Sequence, residues 1–248
     1  MTKPSVTSQQ REFYDNYYDD ASEWRWVGAL AKADNIINLS RDLPHAKILE
    51  IGAGDGAILK RLSEMNFGNE YYALEISSSA IKAMKNRSIK GLMDCQIFDG
   101  SLLPYENKQF DLVVLSHVIE HLEHPRQLIY EAARVGSYIF VEVPLEDTIH
   151  LTENSNNKIG HINFYSPATI RCLLESCHLQ VVKQIVCNMS KESFVFRSGR
   201  KGLISYYIKQ LALLVFPAIA TRIWTYHSAL ICRSVEISAE QVGNYNCS

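Results

Sequence analysis

Between residues 47 and 186, short apolar runs alternate with segments of helical period, and few folds satisfy that alternation. KILEI (47–51) reads as a buried strand, and Ile58, Leu59, Leu62 and Met65 then recur at helical spacing. Residues 71–74 form a second strand. The serines of SSSAIKAMKNR suit a helix start, with Ile81 and Met84 turned inward. CQIF (95–98) is a third strand. FDLVVLS (110–116) is a fourth, nearly continuous in apolar residues, as expected of a strand covered on both faces. Leu128, Ile129, Ala132 and Ala133 mark a helix with Pro125 near its first turn. SYIFVEV (137–143) is a fifth strand. Ser166 and Pro167 read as the N-cap and first residue of a further helix, with Ile170, Leu173, Leu174 and Cys177 on its inner side. LQVVKQIV (179–186) is a sixth strand and YHSALICR (226–233) a seventh. Such a chain is expected to be α/β, with a doubly wound, mostly parallel sheet.

Sheets of this kind bind ligands beyond the carboxyl ends of their strands. The stretch ILEIGAGDG (48–56) lies at that edge. Its glycines, Gly52, Gly54 and Gly56, form G-x-G-x-G, which alone is a weak signal that a ligand-free turn also satisfies. Two acids sharpen it. Glu75 ends the second strand, where a carboxylate can accept both hydroxyls of a ribose. Asp99, with Gly100, ends the third, within reach of an adenine amine. Glu50 and Asp55 flank the loop, and they would repel the pyrophosphate of a dinucleotide. They suit a positively charged guest instead, namely S-adenosylmethionine, with its sulfonium and ammonium groups. A nicotinamide dinucleotide is the disfavoured rival.

The formal charge of −2 argues against bulk electrostatic binding of nucleic acid. The six cysteines show no C-x-x-C spacing, and Cys172 and Cys177 read as core positions of a helix. A reduced, cytoplasmic chain without a disulfide framework or a cysteine zinc site is expected. MTKPSVTSQQ lacks the apolar stretch of a signal peptide, and no run approaches the ~20 apolar residues of a membrane span.

The chain resembles the class I S-adenosylmethionine-dependent methyltransferases. LEIGAGDG, LEIS (74–77), FDGSLLPYENKQFDLVVLSHVIEHLEHP (98–125) and GHINFYSPATI (160–170) carry the likeness, in the family's order, over residues 47 to about 186. The resemblance implies a seven-stranded Rossmann-like sheet with a reversed last strand. It implies that Gly52, Ala53 and Gly54 approach the methionine part and that Glu75 holds the ribose. Ile76 and Ser101 would line the adenine, and Asp99 would bind its amine. Ser116 and His117 would lie near the sulfonium. Tyr14 and Tyr18, on an N-terminal tyrosine-rich helix, resemble the family's flap over the cofactor.

HVIEH (117–121) is the most chemical stretch remaining. On a helix, His117, Glu120 and His121 would share one face. A zinc-protease reading of this spacing is set aside, because the motif follows a strand of a cofactor cleft. An imidazole of His117, His121 or His161 could serve as general base for an acceptor hydroxyl. A metal could instead be held by His117, Glu120, His121 and His161. Similar E-x-x-E-H sequences with a later histidine occur in small-RNA 2′-O-methyltransferases and quinone-pathway O-methyltransferases that use a metal, but here the first position is His117. Packing and hydrogen bonding alone would also account for Glu120 and His121. His124, before Pro125, is expected at the surface.

Residues 187–225 depart from a minimal member of the family, which joins its last two strands by a tight hairpin. No acidic residue occurs from Ser193 to Val235, while Arg197, Arg200, Lys201, Lys209, Arg222 and Arg233 do. LALLVFPAIA (211–220) is wholly apolar, and Pro217 should kink or stop a helix. This segment reads as a helical insertion packed over the cleft or against a second subunit, or as a peripheral contact of residues 200–222 with an anionic membrane or a phosphate-linked lipid acceptor.

A single domain is expected: a helical flap (1–45), a cofactor core (46–186), the insertion (187–225), the last strand (226–235) and a tail (236–248). The activity expected is methyl transfer to an oxygen or nitrogen of a small molecule, saccharide or lipid-linked intermediate, with glycan O-methylation favoured. A metal-assisted quinone-pathway or RNA 2′-OH enzyme is the alternative, and a noncatalytic binding module is the alternative from another class. A homodimer is compatible with these features, and nucleic acid is disfavoured as a partner.

Overall fold

The computed structural model describes residues 12, 14–16, 18, 23–98, 102–152 and 160–235. Seven strands form one sheet: β1 (Lys47–Ile51), β2 (Glu70–Glu75), β3 (Leu92–Ile97), β4 (Phe110–Ser116), β5 (Gly136–Leu145), β6 (Leu179–Cys187) and β7 (Tyr226–Ser234). Their order is β3-β2-β1-β4-β5-β7-β6, and only β7 runs antiparallel to its neighbours. β1 and β4 are adjacent, and the chain departs to opposite sides of the sheet from this pair. That is the switch point where doubly wound sheets bind ligands.

The period-two pleat divides the apolar strands between two cores. Ile48, Leu112, Val114 and Phe140 face α1 (Glu23–Ser40), α2 (Ala57–Glu64) and α3 (Ser78–Asn86). Leu49, Val113, Leu115 and Val141 face α4 (Pro125–Val135) and α5 (Pro167–Glu175). This is why FDLVVLS shows no alternation, since both of its faces are covered. The caps anticipated from sequence form. Ser77 accepts the Ala80 amide at 3.1 Å, and Ser166 and Thr169 make a reciprocal capping box ahead of Pro167.

Between β6 and β7 lie α6 (Lys191–Val215) and α7 (Pro217–Ile223). Gly199, at φ 55° and ψ −137°, breaks α6 internally, and Pro217 ends the run and opens α7. Among the described residues no helix is long and apolar enough to cross a membrane.

Four expectations need correction. HVIEH is not on an α-helix: His117 adopts φ 58°, and only one 3-10 turn follows, Ile119–His121. Residues 23–40, read as part of a flap, are a packed layer of the fold, with Ala29, Ala33, Ile36 and Leu39 buried against the sheet. Cys172 is exposed, and only Cys177 of that pair is buried. β3 begins at Leu92 rather than Cys95, because as an edge strand it leaves Met93 and Ile97 in solvent, so no apolar run marks its start.

Candidate active site

The glycine loop leaves β1 beside the end of β2 and is fastened to it. The Gly52 and Ala53 amides donate to the Leu74 carbonyl, at 2.8 and 3.2 Å. The Gly54 amide donates to Glu75 Oε2 at 2.8 Å, while Glu75 Oε1 accepts from the amides of Ile76 and Ser77 at 2.7 and 3.1 Å. Burial raises the Glu75 pKa, and the three amides oppose that rise by favouring the carboxylate. Gly52 and Gly54 take φ of +72° and +54°. A Cβ on Gly54 would stand 2.6 Å from the Tyr18 hydroxyl, and one on Gly52 would stand 2.5 Å from Val118. Both left-handed backbone and lack of space therefore demand glycine here.

The loop opens on a cleft of about 800 Å3 of non-atom space, part of it open to solvent. Tyr14, Tyr18, Gly52, Glu75, Ile76, His117 and His121 line it, with Ile51, Leu74, Phe98, Val118, Leu122 and Leu128 as apolar wall and His124 at the exposed rim. Its mostly apolar wall with few polar groups suits a small organic ligand. Asp99, Gly100 and Ser101 lie outside the described residues. Ala53, Gly54 and Ser116 stand beside the cleft, and the Ser116 hydroxyl is buried without a hydrogen-bond partner.

The charges differ from the sequence expectation. Asp55 is paired with Arg25 at 3.3 Å and with Arg87 at 2.5 Å, so it lends little field to the cleft. Glu50 is buried beneath the loop and does not line the cleft. Burial pushes its pKa well up, favouring the neutral acid. Of the three carboxylates around the loop, Glu75 alone lines the cleft.

The segment bearing Tyr14 and Tyr18, both of which line the cleft, is tied down by Asp15. Asp15 Oδ1 accepts from the Ser78 amide at 2.7 Å and the Ser77 hydroxyl at 2.8 Å, and its carbonyl accepts the Ser79 hydroxyl at 2.7 Å. The N-terminal segment is thus an anionic cap on α3. Tyr14 stands edge-on to His121, with ring centroids 6.0 Å apart.

The opposite wall holds two histidine groups. In the first, His117 lies between two buried carboxylates, Nδ1 3.3 Å from Glu120 Oε1 and Nε2 3.7 Å from Glu142 Oε1. His227 Nδ1 is 3.2 Å from the same Glu142 oxygen, and Asn35 donates to the other at 3.3 Å. Burial favours a neutral His117, but attraction to Glu120 and Glu142 outweighs it and raises the pKa. Burial likewise opposes ionisation of Glu142, and the two histidines overcome it, holding the carboxyl far below its usual range. The two glutamates thus favour the charged form of His117.

The second group is His121, His161 and Glu146. The Ile162 and Asn163 amides donate to the Glu120 carbonyl at 2.9 and 3.0 Å, which stitches the 160–163 loop to the turn after β4. His161 is thereby stacked edge-on against His121, centroids 4.6 Å apart, and its Nδ1 lies 2.5 Å from Glu146 Oε2. His121 Nδ1 donates to the Gly160 carbonyl at 3.1 Å, which makes Nε2 the basic nitrogen of the neutral ring. Burial lowers the His121 pKa, against the pull of Glu120. Ligating atoms of Glu120, His121 and His161 come within 4.8 Å of one another, as do those of His117, Glu142 and His227. The four-residue set expected from sequence is therefore divided, with Glu120 reaching both groups.

Sequence reasoning missed Asp15, Glu142, Glu146 and His227. Glu142 had a signal, being the one charged residue in an otherwise apolar strand. Asp15 had none, since its partners lie more than sixty residues away.

A glycine loop and an acid at the ends of two adjacent parallel strands, next to the switch point, are the arrangement with which Rossmann-like sheets bind nucleoside cofactors. Residues 49–138 match the family model described as a methyltransferase domain. An uncharacterised protein of Methanocaldococcus jannaschii is 30% identical over 122 residues, 49% of this chain and 55% of that one. The sarcosine/dimethylglycine N-methyltransferase of Aphanothece halophytica is 29% identical over 208 residues, 66% of this chain and 72% of it. The chain thus spans about half the length of the first of these relatives. The protein solved in complex with the Haloferax volcanii Trm112 methyltransferase activator shares the fold, with a TM-score of 0.69 at 13% identity over 92% of this chain and 98% of that one. Residues 49–138 are thus similar to a methyltransferase domain, within a seven-stranded Rossmann-like fold.

Proposed function

We propose that this protein transfers a methyl group from S-adenosylmethionine to an oxygen or nitrogen of a small polar acceptor. The observation that carries the reading is Glu75, a carboxylate lining the cleft where the Gly52–Gly54 loop leaves no room for a side chain. Glu75 would hold the ribose, the glycine loop the amino-acid part, and Ile51, Leu74 and Phe98 would supply apolar contact. When bound, the cofactor supplies a methyl group activated on a sulfonium. This chain's own residues then orient the acceptor and manage its proton. His117, whose charged form is favoured, suits positioning, while His121, whose neutral form is favoured, suits proton acceptance. Two carboxylates about one imidazole favour a cationic or amine-bearing guest. The Aphanothece relative is a sarcosine/dimethylglycine N-methyltransferase, which supports nitrogen as acceptor.

Calorimetry with S-adenosylmethionine tests the cofactor, and an inactive scaffold would take up none. Labelled methyl transfer in a cell extract, with products identified by mass, tests the acceptor. Amines and sugar hydroxyls are separated by the acid stability and mass of the product.

A second reading has one observation in its favour. The Glu120 carboxylate is fully buried beside His121 and His161, with His117 Nδ1 3.3 Å from its Oε1. Two imidazoles and a carboxylate suit a divalent metal. If the melting temperature is unchanged by Mg2+, Mn2+ and Zn2+, and activity is unchanged by a chelator, this reading fails.

A further inference from the structure

We propose that the outer face of α6 and α7 docks on the surface of an anionic lipid bilayer. The helix pair is two-sided. Its inner side is fixed to the fold: Ala212 and Leu213 pack against the core, Lys209 Nζ donates to the Thr225 carbonyl at 2.7 Å, and the Tyr226 hydroxyl donates to the Lys209 carbonyl at 2.8 Å. The outer side carries Ile204, Ile208, Leu211 and Val215 in one helical stripe, each more than half exposed. The stripe continues past the break at Phe216 and Pro217 to Ile219, and residues 214–219 are all exposed, with Leu214 at 80%. Soluble surfaces rarely gather so many large apolar side chains in one patch.

Charge selects the occupant. No acidic residue occurs from Ser193 to Val235, and Arg197, Arg200 and Lys201 are exposed at the amino-terminal end of the stripe. An apolar stripe bordered by cations and free of acids matches the interface of a membrane with anionic headgroups. A second copy of the same face would bring these cations together. The patch also adjoins the cleft's acceptor side. Arg222 pairs with Asp147 at 3.3 Å, and its carbonyl accepts the Ile149 amide at 2.9 Å. That loop begins with Glu146, which holds His161, and it adds the exposed Ile149 to the apolar rim.

The test is flotation of the purified chain with vesicles of phosphatidylcholine, with and without phosphatidylglycerol. The wild type is expected to float with anionic vesicles and to be released by salt. Leu211→Glu with Leu214→Glu and Phe216→Glu should lower the bound fraction about tenfold with the circular-dichroism melt unchanged, since all three side chains are already in water. Arg200→Ser with Lys201→Ser should weaken binding to anionic vesicles several-fold and leave the weaker zwitterionic binding unaltered. Wild type that stays unbound with both vesicle types overturns the proposal. So does a wild-type dimer in light scattering that the glutamate variant dissociates, because the face would then belong to a second copy. Neither readout involves cofactor or methyl transfer, so the proposal and the methyltransferase reading fail separately.

Discussion

Asp15 Oδ1 accepts the Ser78 amide at 2.7 Å and so ties the segment bearing Tyr14 and Tyr18 to the amino terminus of α3. Burial slightly opposes the charge, but hydrogen bonds from Ser77, Ser79 and Ser78 lower the Asp15 pKa. The tie closes one side of the cofactor cleft without belonging to the core. Asp15→Ala should therefore weaken S-adenosylmethionine binding roughly tenfold, the size expected for losing a charged hydrogen bond. The melting temperature should hardly change. Calorimetry and a thermal scan on the same sample separate the two effects. Equal affinity in the variant would mean the tyrosines do not cover the cofactor.

Gly54→Ala is the sharpest probe of the cradle. The new Cβ meets the Tyr18 hydroxyl at 2.6 Å, and the residue must hold φ +54°. The amide that binds Glu75 would shift with the loop. Cofactor affinity should fall at least tenfold, and the strain should cost on the order of 1 kcal/mol of stability. A variant that binds S-adenosylhomocysteine normally would remove the loop from the cofactor site.

His117 and His121 should titrate on opposite sides of the ordinary histidine value of 6.5. Proton NMR of the imidazole resonances, assigned with His117→Gln and His121→Gln, should show His117 still charged where His121 and His227 are neutral. If His121 is the base, activity should persist as pH falls below 6.5 and then decline with the His121 titration. His121→Gln should then lower kcat by about a hundredfold for a hydroxyl acceptor. A rate that tracks the His117 titration instead would reverse the two roles.

How far the sequence reached depends on the range of the interaction. The strands of the parallel core were legible because burial on both faces writes a continuous apolar run, as in KILEI and FDLVVLS. Caps were legible because Ser166 and Thr169 act within one turn. The glycine loop and Glu75 were legible because each closes its own strand. The field around the loop was not. Arg25 and Arg87 reach Asp55 across thirty or more residues, and no local pattern records that they neutralise it. HVIEH misled for a related reason: helical spacing was present, but the left-handed His117 and the stitch from Ile162 and Asn163 to Glu120 impose another path.

Glu142 offers a stability test whose pH dependence has a defined shape. Its pKa is depressed in the fold, so its contribution is present above the ordinary 4.5 and fades as pH falls through the folded value. The His117 pKa is raised, so that contribution is complete below 6.5 and fades as pH rises through its folded value. Together they stabilise most between about pH 4.5 and 6.5. Glu142→Gln leaves His117 with Glu120 as its single counter-charge and should cost about 3 kcal/mol in that window, as expected for breaking one side of a buried pair. The deficit should shrink toward both acid and alkaline pH. Urea unfolding of wild type and variant at three pH values, one inside the window and one on each side, measures it. A deficit independent of pH would mean that Glu142 acts by packing and that the clamp on His117 carries no charge.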